Sequence, residues 1–140
     1  MKWLSVQIKG QQHIIYVHGD IDNDEYSFSD ADFAAFLSSL QNATEIMLDI
    51  DSWGGDPRVA QSMVQMMEMS SASFTGHISG VCASSATLRA MACDRLTAHP
   101  DSAFGIHEAN AMPNEFLKAG ELRSLADYID EHFFVVQINM

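Results

Sequence analysis

The stretch Glu45-Ile46-Met47-Leu48-Asp49-Ile50 runs directly into Asp51-Ser52-Trp53-Gly54-Gly55-Asp56-Pro57, and its reading decides the fold class. Its first six residues form an apolar run of strand length. Two consecutive glycines then let the backbone turn where a side chain would obstruct it. Asp56-Pro57 supplies an N-cap and a proline at the first helical position, and Ala60, Met63, Val64 and Met67 recur at helical spacing up to about Ser70. Strand, glycine turn and helix in close succession make one β-α unit.

The same alternation extends in both directions. Upstream, Leu4 to Ile8 alternates and His13-Ile14-Ile15-Tyr16-Val17-His18 is a β-rich run closed by Gly19-Asp20. After an acidic loop through Asp24-Glu25, Ser29 with Asp32 three residues on has capping-box spacing. It predicts a helix from about Asp30 to Leu40, with Phe33, Phe36, Leu37 and Leu40 on one face. Downstream, Phe74 to Ile78 reads as a buried strand and Ser84 to Ala92 as a helix. Leu96-Thr97-Ala98 and Ala103-Phe104-Gly105-Ile106 read as short strands, and Leu122, Leu125, Ala126, Ile129 and Phe133 mark one face of a last helix. Short connections between alternating elements imply an α/β fold, a largely parallel sheet flanked by helices with right-handed crossovers.

The length of 140 residues fits a single domain, 1–140, able to bury a core without staples. Seven Lys plus Arg against 19 Asp plus Glu give 7 − 19 = −12, which disfavours electrostatically driven binding to nucleic acid or to an anionic membrane. The opening Met1-Lys2-Trp3-Leu4-Ser5 lacks the pattern of a signal peptide, and no window approaches the ~20 apolar residues of a bilayer span. A cytoplasmic protein is expected. Cys82, on the proposed turn, and Cys93, at a helix end, read as reduced structural thiols. His13, His18, His77, His99 and His132 have no ligand spacing, so neither metal nor cofactor is implied, and no Gly-x-x-x-x-Gly-Lys nucleotide loop occurs.

Chemistry is carried by Gly80-Val81-Cys82-Ala83-Ser84-Ser85-Ala86 and Ile106-His107. A small-residue turn opening a helix at Ser84 would set a hydroxyl where backbone N–H groups converge. A helix to about Ala92 carries the chain roughly 12–15 Å away at 1.5 Å per residue. The segment from Cys93 to Ile106 is long enough to return, so His107 can lie beside Ser84 as a general base. Gly55 and Ser85 N–H are the natural oxyanion donors, with Gly54 shaping the turn. Serine at a helix start is commonly only a cap and Gly-Gly only a turn. The ordered set is what points to acyl transfer.

That order, Ile-Asp-Ser-Trp-Gly-Gly-Asp (50–56), Gly-Val-Cys-Ala-Ser-Ser-Ala (80–86), Met-Ala-Cys-Asp (91–94) and Gly-Ile-His (105–107), resembles the Clp protease proteolytic-subunit superfamily, and within it the Clp-like phage prohead (head maturation) proteases. The resemblance implies the Clp/crotonase-like β-β-α spiral, Ser84 and not Ser85 as nucleophile, His107 as base, and an oxyanion hole shaped by the glycines. It further implies a homo-oligomer acting on polypeptide without an ATPase, in a bacterial or phage-infected cell, with phage capsid or scaffold proteins as possible partners. Trp53 stands where the family usually has proline, and Cys82 replaces a small alanine. The family's acidic partner of the histidine comes well after the long helix. Only 140 − 107 = 33 residues follow His107, which implies that the usual C-terminal segment is lacking. Asp127 and Asp130 read as solvated charges and Glu108 should point away from His107, so no acid is assigned.

Three function classes stay open on the sequence. One is a serine endopeptidase working through an acyl-enzyme. The second is a weak or inactive protease-derived assembly module, with Met63, Met66, Met67 and Met69 covering either a subunit interface or, as methionines more commonly do, part of the core. The third is a crotonase-like acyl-CoA enzyme, disfavoured by the serine-then-histidine order and the absence of a basic patch for nucleotide phosphates.

Overall fold

A computed structural model describes residues 6–9, 12–106 and 117–132. The chain divides into two compact units, residues 1–105 and 106–140, each described by itself. The first contains β1 (Val6–Lys9), β2 (Gln12–His18), α1 (Asp30–Ser39), β3 (Glu45–Ser52), α2 (Pro57–Met69), β4 (Ser73–Ala83), α3 (Ala86–Ala92), β5 (Arg95–Ala98) and β6 (Ala103–Gly105). The second contains α4 (Ala119–His132), which opens with Lys118 N–H donating to Glu121 Oε2 at 2.7 Å.

The sheet order is β1-β2-β3-β4-β5, with β6 also paired to β4. Only β1 and β2 pair antiparallel; β2-β3, β3-β4, β4-β5 and β4-β6 are parallel. This is the expected α/β architecture, a parallel sheet flanked by helices. Strand period two puts Ile15, Val17, Ile46, Leu48, Ile50, Phe74 and Ile78 in the core, where they pack with Phe33 of α1, Val59, Ala60, Met63 and Met67 of α2, and Ala86 and Ala90 of α3. Each buried aliphatic of this kind contributes about 1.5–3 kcal/mol. Met63 and Met67 are thus core residues, whereas Met69 is exposed.

The caps follow the sequence. Ser29 and Asp32 form a reciprocal capping box on α1, and Asp56 accepts Arg58 N–H at 2.8 Å at the start of α2. Two boundaries differ from expectation around residue 80. The strand predicted to end at Ile78 continues to Ala83, and the helix predicted from Ser84 begins at Ala86. A register shift makes the extension possible: Ile50 pairs with Ile78, but Ser52 pairs with Cys82. Asp51 holds the shifted segment by accepting Val81 N–H at 2.9 Å, and Gly80 leaves room for its carboxylate. Cys82 therefore lies in a strand and not in a turn.

Candidate active site

The end of β4 and the start of α3 meet at Ser84, which has φ 54°, the only non-glycine left-handed residue among those described. An L-residue there costs roughly 1–2 kcal/mol, and such conformations persist only where surrounding contacts over-determine them. The contacts are present. Ser84 N–H donates to Gly105 O at 3.0 Å, while Ser84 O accepts Thr87 N–H at 3.0 Å and Thr87 Oγ1 at 2.6 Å. The side chain is half-buried, and its Oγ makes no hydrogen bond among the described residues. Ser85, by contrast, is 5% exposed and its hydroxyl is buried without a partner among the described residues. Of the two serines, Ser84 has the accessible hydroxyl.

The glycine turn abuts this elbow. At Gly54, φ 98°, a Cβ would lie 2.7 Å from Ser84 Cβ, 2.8 Å from Ala83 O and 2.9 Å from Ser85 N. At Gly55, φ 151°, a Cβ would collide with the backbone of Ile21. The double glycine thus serves two separate close approaches, one to the elbow and one to the loop after β2. Gly54 N–H donates to Ser52 Oγ at 3.1 Å. Neither Gly55 N–H nor Ser85 N–H has a hydrogen-bond partner among the described residues.

The turn is also tied to the acidic loop. Gly19 N–H donates to Asp51 O at 2.9 Å, Ile21 N–H to Gly54 O at 2.9 Å, and Asp56 N–H to Ile21 O at 2.7 Å. This lays the loop of Asp20, Asp22, Asp24 and Glu25 alongside the turn. Two large aromatics stand in solvent there, Trp53 at 72% exposure and Tyr26 at 70%. The Tyr26 hydroxyl has its pKa raised, first by its hydrogen bond with Glu25.

The third expected participant, His107, lies outside the described residues, as does Glu108. What is described is the approach to it: β6 pairs with β4 in the register Val81-Ala103, Cys82-Phe104, Ala83-Gly105. Asp127 lies on α4 and is exposed. Among the described residues no group of three or more His, Cys, Asp or Glu could hold a metal ion, and no helix is long and apolar enough to cross a membrane.

Burial governs the thiols nearby. Cys82 is fully buried and pushed up to about 11, and Cys93 is pushed up to about 12, in both cases chiefly by desolvation. Both are therefore held as neutral thiols at neutral pH.

Two features escaped the sequence reading. Arg89, in the last turn of α3, is fully buried; its Nη1 donates to Met63 Sδ at 2.8 Å, its guanidinium sits 5.6 Å from the Phe28 ring centroid, and Nε and Nη2 have no partner among the described residues. Desolvation pulls its pKa down to about 10. The signal was a lone cation within Ala86-Thr87-Leu88-Arg89-Ala90-Met91-Ala92. The other feature is a polar network on the opposite face of the sheet, where Asp49 accepts Ser79 Oγ at 2.6 Å and pairs with His18 Nε2 at 2.7 Å. Its trace was the polar residues Tyr16 and His18, Asp49 and Asp51, and Thr75, His77 and Ser79 at alternate positions near the ends of β2, β3 and β4.

The class of protein this fold and site define has a parallel α/β sheet with a left-handed serine at a strand-helix junction and a glycine turn packed on it. Residues 5–133 match the Clp protease family, and the chain belongs to that family. No curated protein matches this sequence. Among solved structures, a mutant of ClpP1 from Listeria monocytogenes is similar in fold, with a TM-score of 0.68 at 20% identity, covering 84% of this chain. The match spans 64% of the length of that structure.

Proposed function

We propose that this chain is an ATP-independent serine endopeptidase of the Clp-like prohead type, with Ser84 as nucleophile and His107 as general base. The single observation that carries the reading is the left-handed Ser84, held by Gly105 and Thr87 with Gly54 packed against it. Strain of this kind has no use in a plain helix cap, for which serine needs only ordinary extended backbone. Chain connectivity supports His107 as the base, because it lies two residue steps, at most about 7.6 Å between Cα atoms, beyond Gly105.

In the proposed reaction His107 takes the Ser84 proton as Oγ attacks the scissile carbonyl. The tetrahedral oxyanion is received by N–H groups at the Gly54-Gly55 turn and at Ser85, each such donor contributing about 10²–10³ in rate. Collapse expels the amine, protonated by the imidazolium, and leaves an acyl-enzyme that water hydrolyses by the same proton path in reverse. The proposal includes self-assembly of the chain, polypeptide substrates, phage capsid or scaffold proteins among them, and a cytoplasmic location.

The test is covalent labelling of the folded protein with a fluorophosphonate, read by mass spectrometry. The expected adduct is on Ser84, absent in Ser84→Ala and slowed by orders of magnitude in His107→Ala. A folded protein that stays unlabelled at Ser84 would sink the hydrolase reading and leave that of an assembly module.

A further inference from the structure

Resting on the hydrolase reading of the Ser84 elbow, this inference concerns which polypeptides the site receives. We propose that Trp53 is a specificity-determining residue that holds a lysine or arginine side chain of an extended polypeptide against its indole face.

Position is the first argument. Trp53 directly precedes Gly54, whose Cα abuts Ser84, so the indole is rooted one residue from the contact between turn and elbow. It is nevertheless 72% exposed, whereas the residues on either side, Ser52 and Gly54, are buried. An indole left in water forgoes a large burial gain, and tryptophan is enriched among the residues that dominate binding. Nor can the residue readily withdraw, since the turn is fixed through Gly19 N–H to Asp51 O, Ile21 N–H to Gly54 O, Gly54 N–H to Ser52 Oγ and Asp56 N–H to Ile21 O.

Charge selects the occupant. No Lys or Arg occurs between Gly10 and Pro57, the part of the chain that supplies both the turn and the loop bonded to it. Arg58, the next cation, is committed to Asp56 at 2.7 Å. Asp51 and the loop residues Asp20, Asp22 and Glu25 are exposed beside the turn, in a protein of net charge −12. Such a field raises the local concentration of cationic peptide and repels acidic peptide. Tryptophan is also the best aromatic partner for a cation, and a lysine or arginine brings an aliphatic stem that covers the ring. A purely apolar side chain would gain from the ring but not from the field.

The test uses Ser84→Ala protein, which binds without turnover, and short dye-labelled extended peptides of matched length carrying Lys, norleucine or Glu at alternate positions, followed by fluorescence anisotropy. The expected order of affinity is Lys, then norleucine, then Glu, narrowing as salt rises from about 0.05 to about 0.5 M. Adding Trp53→Ala should weaken the Lys peptide about two- to fivefold more than the Glu peptide, with Trp53→Phe intermediate. Equal binding of the three peptides, no binding of any, or an equal loss for all three on Trp53→Ala would overturn the inference. Fluorophosphonate labelling of the Ser84 protein separates the two readings. A labelled enzyme without the lysine preference removes this inference alone, and an unlabelled protein that keeps it removes the hydrolase reading alone.

Discussion

The two ends of α3 handle costly features in opposite ways. At its start, Ser84 occupies a left-handed conformation that L-residues avoid, and the backbone groups on both sides of it are hydrogen-bonded, to Gly105 and Thr87. In its last turn, Arg89 is buried with Nε and Nη2 unpartnered among the described residues and a thioether as its hydrogen-bond acceptor. The first cost is supported by dedicated contacts, which is the pattern of strain retained for use. Among the described residues, the second has a ring face and a sulfur to offset it. The contrast separates a supported strain from a tolerated burden, and it can be tested at each end.

The largest effect is expected at the support of the first end. Gly54→Ala places a methyl at 2.7–2.9 Å from Ser84 Cβ, Ala83 O and Ser85 N, two of them backbone atoms that cannot swing away. A loss of about 4 kcal/mol or more in urea unfolding is expected, together with loss of fluorophosphonate labelling. Gly19→Ala is the matched control: its φ is similar at 89°, but nothing lies within 4 Å of the added Cβ, so only the conformational cost of about 1–2 kcal/mol should appear. Equal losses at the two glycines would mean that the turn does not press on the elbow.

The second end predicts the opposite sign. Arg89→Met removes a buried charge while keeping a straight side chain of similar reach. Stability should rise by about 1–4 kcal/mol, as when buried ionic groups are replaced by apolar ones. Labelling at Ser84 should be unchanged. A fall in stability would show that the guanidinium is well satisfied in solution, and the contrast between the two ends would collapse.

Both ends were unequally legible in the sequence, for a physical reason. Periodicity and cap chemistry are local, so the strand Glu45 to Ile50, the capping box at Ser29 and the Asp56-Pro57 start of α2 could be read directly and are found in place. The Gly54-Gly55 turn and Ser84 could be singled out as candidate site residues, but not the reason for two glycines. That reason depends on Ile21, which arrives from a distant part of the chain. The extension of β4 to Ala83 was hidden because Gly80 and the small residues after it read as a turn, and only cross-strand pairing with Ser52 makes them a strand. Arg89 gave no periodic signal at all: a single cation in a short helix reads as its solvent face until α2 and Phe28 are seen to enclose it.

A smaller effect tests α2, whose Met63 touches Arg89. Asp56→Ala should cost about 0.5–2 kcal/mol by removing the N-cap. The Arg58 side chain, through its hydrogen bond, is the main cause that holds the Asp56 carboxyl below its ordinary value of 3.8. Because the folded value is the lower one, this contribution is complete above about pH 4 and is lost as pH falls through the folded value. The difference between wild type and Asp56→Ala should therefore shrink in acid. A difference that grows in acid would contradict the assigned pairing with Arg58.

The smallest effect is the sharpest test of what the first end stores. Ser84→Ala removes the hydroxyl but keeps a Cβ, so the left-handed conformation remains as costly as before and stability should hardly change. Ser84→Gly removes the Cβ as well. It should recover the roughly 1–2 kcal/mol of conformational cost, less about 0.5–1 kcal/mol for the greater freedom of glycine in the unfolded chain, an offset that equally reduces the net loss in Gly19→Ala. Both variants should lose labelling, so activity cannot tell them apart, yet Ser84→Gly should be more stable than Ser84→Ala by about 0.5–1 kcal/mol. If Ser84→Gly were instead less stable than Ser84→Ala by about 0.5–1 kcal/mol, the cost of glycine's freedom alone, the serine would carry no strain in solution. The elbow would then be an ordinary strand-to-helix turn, no more specialised than the helix start that Ser29 caps at α1.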